Sequence, residues 1–250
     1  MSRFASGYSR LVAAALVFTV VTAVRAADPP QPTSADQDQQ GSGTASDHER
    51  AESELKKQEK QRILGIIPNF NTSNIQNAAK LSSGQKFRLA LRGALDPFTF
   101  VAAGLIAGWE QAQNTFPGYG QGAAGYGKRL GAAYADSFSG SMFGGAIFPS
   151  ILHQDPRYFR KGSGKFTSRL LYAVVSTVRA KNDNGRWAPN YSNVLGNVAA
   201  GGVSNLYYPS ADRGFGLTMQ RAGVVTAEGA IGAVFVEFWP DIDAKLFHKH

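Results

Sequence analysis

Where the glycines fall constrains this chain most. Gly104 and Gly108 stand four apart, as do Gly127, Gly131 and Ala135, and again Gly140 and Gly144. Each glycine inside a helix costs about 1 kcal/mol against alanine. Repetition at helical spacing therefore needs an offsetting gain, and close approach of backbones along small-xxx-small faces supplies one. Gly127, Gly131, Gly140 and Gly144 are expected to line helix contacts, and the Gly-xxx-Gly faces are candidates for homo-oligomer formation. A strand reading requires sustained period-two alternation, and residues 119–152 show none over eight residues.

The apolar residues around these glycines keep helical periods. Ser82 and Gln85 have capping-box spacing, and Phe87, Leu91, Ala94 and Leu95 then share one face. Asp96-Pro97 is an N-cap followed by proline in the first turn. Phe98, Val101, Ala102, Leu105, Ile106 and Trp109 continue it at i, i+3, i+4, i+7, i+8 and i+11, to about Asn114. Another stripe runs from Phe166 to Val178. Trp187 to Ala211 carries no charge over 25 residues and reads as an interior helix, Tyr191 to Leu206, with Asn197 among Gly196, Ala200 and Gly201. A last helix is expected from Asp212 to Trp239, stopped by Pro240. The fold class is all-α: a compact bundle of about six Gly-rich helices behind a disordered N-terminal arm.

The arm begins as an address. Arg3 and Arg10 precede an uncharged stretch, Leu11 to Val24, which is short for a permanent span. Val24-Arg25-Ala26 and the helix-breaking Asp28-Pro29-Pro30 follow. Residues 1–26 read as a secretory signal peptide cut after Ala26 or Ala27. Residues 27–62 form a polar linker: 28–50 hold too little apolar surface to offset ordering entropy, and 51–62 read as a short charged helix without an apolar stripe. Residues 63–250 are the all-helical domain, with Ile63 to Phe70 docking on it in extended form.

Charge follows the same division. Segments 1–26, 27–62 and 63–250 carry +3, −3 and +8. A basic body suits an anionic envelope component or membrane surface, and an export signal argues against nucleic acid as partner. The absence of cysteine excludes disulfides, thiolate metal sites and a cysteine nucleophile. Exported and cysteine-free, the chain fits the periplasm or outer envelope of a bacterium. No metal-ligand spacing, phosphate loop or dinucleotide fingerprint occurs, so no metal and no cofactor is expected.

The densest chemistry lies in residues 153–161. His153 and Asp155 have acid/base character, and Glu110, interrupting an apolar helix, could complete a hydrolytic set. Arg157, Arg160 and Lys161 are candidate anion holders. The simpler reading makes Asp155-Pro156 a second helix start. Glu228 and Asp136 also interrupt apolar helices, and a charge there is costly unless paired, so both are expected in structural ion pairs. The favoured function is an exported, non-enzymatic envelope protein. A hydrolase using His153, Asp155 and Glu110 is the alternative, and a lipid-binding or pore-forming assembly is the third reading. The last requires a continuous exposed apolar patch above roughly 400 Å². No uncharged apolar run of 18 residues occurs in the body, so integral insertion is the lesser expectation.

Overall fold

The computed structural model describes residues 43–63, 67–69 and 71–247; the segment 1–26, expected to be a signal peptide, and residues 27–42 of the linker lie outside them. Eight α-helices account for most of the described chain: α1 (Gly43–Gln58), α2 (Ser83–Ala94), α3 (Pro97–Ala112), α4 (Gly122–Met142), α5 (Phe148–Ile151), α6 (Phe166–Val175), α7 (Tyr191–Ser204) and α8 (Phe215–Phe247). A π-helical stretch, Phe143–Ile147, joins α4 to α5. Three ribbons of very short strands complete it. β1 (Arg62–Ile63) pairs antiparallel with β2 (Ile67–Pro68), β3 (Thr72–Ser73) parallel with β4 (Tyr158–Phe159), and β5 (Arg179–Lys181) antiparallel with β6 (Trp187–Pro189).

The caps form as their residues dictate. The Ser82 hydroxyl accepts from the Gln85 amide, and the Gln85 side chain accepts from the Ser82 amide. Asp96 accepts from the Phe98 amide, with Pro97 in the first turn. Asp96 also takes Arg62 at 2.6 Å, which ties the start of α3 to the β1 ribbon.

Contacts between helices give an up-down-up-down bundle of α3, α4, α7 and α8. Tyr126 donates to the Gly104 carbonyl and Tyr134 to the Ala94 carbonyl, so α4 runs antiparallel to α3. Ser204 meets Asp136 while Gly196 touches Gly144, so α7 runs back along α4. Asn197 meets Thr226, and Gly201 packs on the Thr218 carbonyl, so α8 reverses again. One end of the bundle is closed by the loops 113–121 and 205–214, where Phe116, Tyr119, Tyr208 and Leu217 form an apolar cluster. The other end carries α1, α2, α6 and the three ribbons.

Several expectations change. The arm helix is not solvated: α1 buries Ala51 and Leu55 completely, and Leu55 packs with Leu81 and Leu89. Residues 43–50, expected to be disordered, already belong to it. Ala51, Leu55 and Gln58 follow an i, i+4, i+7 face, which a stripe criterion misses when only one large apolar residue marks it. Pro240 does not end α8, which continues to Phe247. In the turn before it, the Glu237 carbonyl accepts from the Arg160 and Arg169 side chains. Asp155-Pro156 opens no helix: Asp155 accepts from the Arg157 amide, but the chain continues into β4. Asp212 closes a 3-10 turn, and α8 begins three residues later.

The glycines divide. Gly144 lines a close contact as expected, because a Cβ on Gly196 would lie 2.6 Å from its Cα. Gly140 is in ordinary contact with Val225. Gly127 and Gly131, however, meet nothing within 4 Å and line no contact within the described chain. The tightest approaches belong instead to Gly125, Gly196 and Gly201, whose Cβ positions are occupied by backbone.

Candidate functional site

Several large apolar side chains of the bundle face outward. On α3, Phe100, Val101, Leu105 and Trp109 face outward, Leu105 and Trp109 at 73% and 69% exposure. Val194 and Leu195 do so on α7, and Met219, Ile231 and Phe235 on α8. The interior is the reverse. Most buried apolar residues in the four helices are alanine, and the largest fully buried side chains of the described chain are Arg129, Tyr208 and Lys86. The four helices, with α8 taken to Trp239, hold seven charged residues: Glu110, Lys128, Arg129, Asp136, Arg221, Glu228 and Glu237. Only Lys128 and Glu228 are exposed.

The buried charges find partners inside the described chain, though not for every atom. Asp136 accepts from Ser204 and Tyr207 on one oxygen and from Tyr208 and Arg221 on the other, all at 2.6–2.7 Å. Glu110 lies 3.7 Å from the same Arg221, and its second oxygen has no partner. Arg129 donates to the Thr115, Phe116 and Gly120 carbonyls and to Gln111. This anchors the 113–121 loop, where Phe116 takes a left-handed φ of 55° that a bulky residue rarely adopts. At the other end Glu237, fully buried, accepts from Tyr158, Arg169 and the Lys161 and Gly162 amides. Lys86 crosses to Asp183 at 2.7 Å. Each buried ion is paired or hydrogen-bonded, as removal from water demands.

The residues singled out by sequence do not converge. His153 is 79% exposed, and its imidazole stands 3.8 Å from Asp183, not beside Asp155. Asp155 is held by Arg157, whose side chain is fully buried and also donates to the Ala79 carbonyl. Glu110 sits in the last turn of α3, next to the 113–121 loop, whereas His153 lies beyond the far end of α4. A helix of 21 residues, about 31 Å, separates them, so the His153/Asp155/Glu110 set does not form. As for the anion holders, Arg157 is inaccessible, Arg160 donates to the Glu237 carbonyl, and the Lys161 ammonium reaches Ser168. Asp136 does form an ion pair, with Arg221. Glu228 forms none among the described residues.

A small cleft of about 290 Å³ lies beside this loop, between Asp155, Lys181 and Asp183. Burial holds the Lys181 ammonium below the usual lysine range. Its charge rests on the Gln76 carbonyl and 4.2 Å above the Phe159 ring. Burial and the Glu237 carboxylate push the Tyr158 hydroxyl up. These groups are tied to their neighbours, and among the described residues no three His, Asp or Glu side chains are grouped to hold a metal ion.

The outward side of the helices is the feature on which the lipid-binding reading of the sequence depends. The periodic stripe Phe98 to Trp109 was visible, but a stripe marks one face without saying what it faces. Within α8, residues 215–245 have an 18-residue window of mean hydropathy 1.4, only 11% of it buried. The α2–α3 pair passes the same length-and-composition test as one broken span bent by 50°. Compared with protein-family models, curated proteins and solved structures, the chain matches none. Fold and surface together define an all-α bundle with an ionic interior and an apolar exterior.

Proposed function

We propose that the protein is an exported envelope protein whose four-helix bundle sits in a lipid membrane, with basic rims against anionic headgroups. The inverted distribution of side chains carries this reading: arginine and carboxylate inside, leucine, phenylalanine and tryptophan outside. In water, each large apolar side chain left exposed forgoes about 1.5–3 kcal/mol. In hydrocarbon that loss disappears, while every buried polar group must find its partner inside the protein. Small residues at helix contacts serve the same setting.

α4 and α8 are long enough to cross a hydrocarbon layer, whereas α3 and α7, at 16 and 14 residues, fall short of the roughly 20 residues a full crossing takes. α3 and α4, at 16 and 21 residues, are about 24 and 31 Å long, against a hydrocarbon layer of about 30 Å. Aromatic residues gather toward the helix ends, as interfacial belts do: Trp109, Tyr119, Tyr126 and Tyr207 at the 113–121 end, Trp187, Tyr191 and Trp239 at the other. Exposed cations flank both ends: Lys128 and Arg213 at one, Lys165 and Arg186 at the other. The signal-like start supports export, and the separation of His153 from Glu110 removes the hydrolase reading built on those residues.

Membranes from producing cells are washed with alkaline carbonate, and the retained protein is reconstituted in lipid brominated along its chains. The protein is expected to stay with the membrane, with an N-terminus at Ala27 or Asp28 by mass spectrometry. In a variant whose other two tryptophans are phenylalanine, Trp109 fluorescence is quenched. Release by carbonate, or unquenched Trp109, overturns the embedded reading. Retention with Met1 intact overturns the cleaved signal.

A further inference from the structure

A cleft of about 550 Å³ opens at the 113–121 end of the bundle, between α4 and the loop before α8. Its floor and walls are Tyr119, Gly131, Ala135 and Pro209, and its two cations are Lys128 and Arg213. We propose that this cleft binds one anionic membrane lipid, its phosphate between Lys128 and Arg213 and the adjoining chain along Gly131 and Ala135. The proposal rests on the membrane reading and names a ligand for it.

Three observations point the same way. First, the cleft has cations and no acid. Among the described residues, Lys128 has no hydrogen-bond or ion-pair partner, and Arg213 donates to the Tyr208 and Leu206 carbonyls alone. Behind them the fully buried Arg129 donates, among the described residues, to carbonyl and amide oxygens and to no carboxylate. Lys128 and Arg213 thus stand at a cleft whose lining holds no carboxylate, and basic pockets between membrane helices suit phosphate headgroups. Second, the tyrosines behind the cleft turn their hydroxyls inward, Tyr207 and Tyr208 to Asp136 and Tyr119 to the Tyr207 carbonyl. The surfaces left to the cleft are therefore ring faces and alkyl groups, suited to an acyl or glycerol segment. Third, Gly131 is helical and exposed, and a Cβ there, as at Gly127, would meet nothing within 4 Å. Its cost to the helix has no return inside the chain, and a ligand lying against the bare backbone supplies one.

Native mass spectrometry of the full protein in neutral detergent tests this, with phosphatidylglycerol, phosphatidylcholine and inorganic phosphate titrated separately. Phosphatidylglycerol is expected to form one saturating adduct. Phosphatidylcholine, whose ammonium the two cations repel, is expected to bind at least about tenfold more weakly, and free phosphate not to bind. The Lys128→Gln/Arg213→Gln variant should lose at least about tenfold in phosphatidylglycerol affinity. Gly131→Leu should do the same by filling the cleft with both cations in place. Equal binding of the two lipids, an unaffected double variant, a phosphate adduct, or a dimer without lipid overturns the proposal. Flotation of wild type with phosphatidylcholine vesicles keeps the two readings apart: failure to float sinks embedding, while floating without a phosphatidylglycerol preference sinks the lipid site alone.

Discussion

Gly201 and Gly131 are the same residue in the same kind of helix, yet their surroundings are opposite. A methyl on Gly201 would run into the Thr218 carbonyl, where α7 and α8 touch backbone to backbone; on Gly131 it would meet nothing. Gly201→Ala should therefore cost about 1–3 kcal/mol through overpacking. Gly131→Ala should be neutral, or stabilising by up to about 1 kcal/mol, through helix propensity. Thermal melting in detergent checks both, and equal melting points for the two variants would refute the close α7–α8 contact. The four-residue glycine spacing was legible in the sequence; which glycines faced a neighbour was not, because spacing gives a face and not its partner. Gly196 and Gly201, five apart, carry tight contacts that a four-residue rule passes over. The same limit applies to charge. That Asp136 would need a partner followed from its apolar surroundings, but Arg221, Tyr207 and Tyr208 come from segments about 70 to 85 residues away.

At the scale of elements, the helices with strong periods and caps, α2 and α3, were readable to within two residues, because Ser82, Gln85, Asp96 and Pro97 act locally. α1 was not. Its docking depends on Leu55 meeting Leu81 and Leu89, and on Glu52 and Glu59 meeting Arg88 and Arg92 of α2. Leu55→Ala should cost about 2–5 kcal/mol at this buried site and free α1. Limited proteolysis would read this as cleavage within 43–60 while the bundle stays intact; a wild-type digestion pattern would show that the leucine contact does not hold the helix. Acid should act in the same direction. The hydrogen bonds from Arg88 and Gln85 hold the Glu52 carboxyl below the usual glutamate range. The unfolded arm therefore binds a proton more readily than the docked one as pH falls through about 4.5, and docking weakens below that value. Because this pair is exposed to water, salt should blunt the effect.

For the whole molecule, the proposed membrane setting rests on large apolar side chains that face outward from the four helices while Asp136, Arg221 and Glu110 are buried between them. Leu105 lies midway along α3, fully outward, on a helix whose one charge, Glu110, points in. In a water-soluble protein Leu105→Arg would be a harmless surface change, within about 0.5 kcal/mol. In a membrane it places an unpaired guanidinium near the middle of a span, about 2.5–3.5 kcal/mol on insertion scales. The variant purified in detergent should melt within a few degrees of wild type, since Leu105 supports no core contact. Its recovery in the membrane fraction of cells should fall severalfold. Leu105→Phe, which changes shape without charge, should be recovered like wild type. If Leu105→Arg enters membranes as well as Leu105→Phe does, the outward face of α3 does not lie in hydrocarbon, and another covering for that face is required. If it instead loses stability in detergent by several kcal/mol, Leu105 is buried against a neighbour in the assembled protein. The apolar exterior would then be an interface between copies, not a surface for lipid.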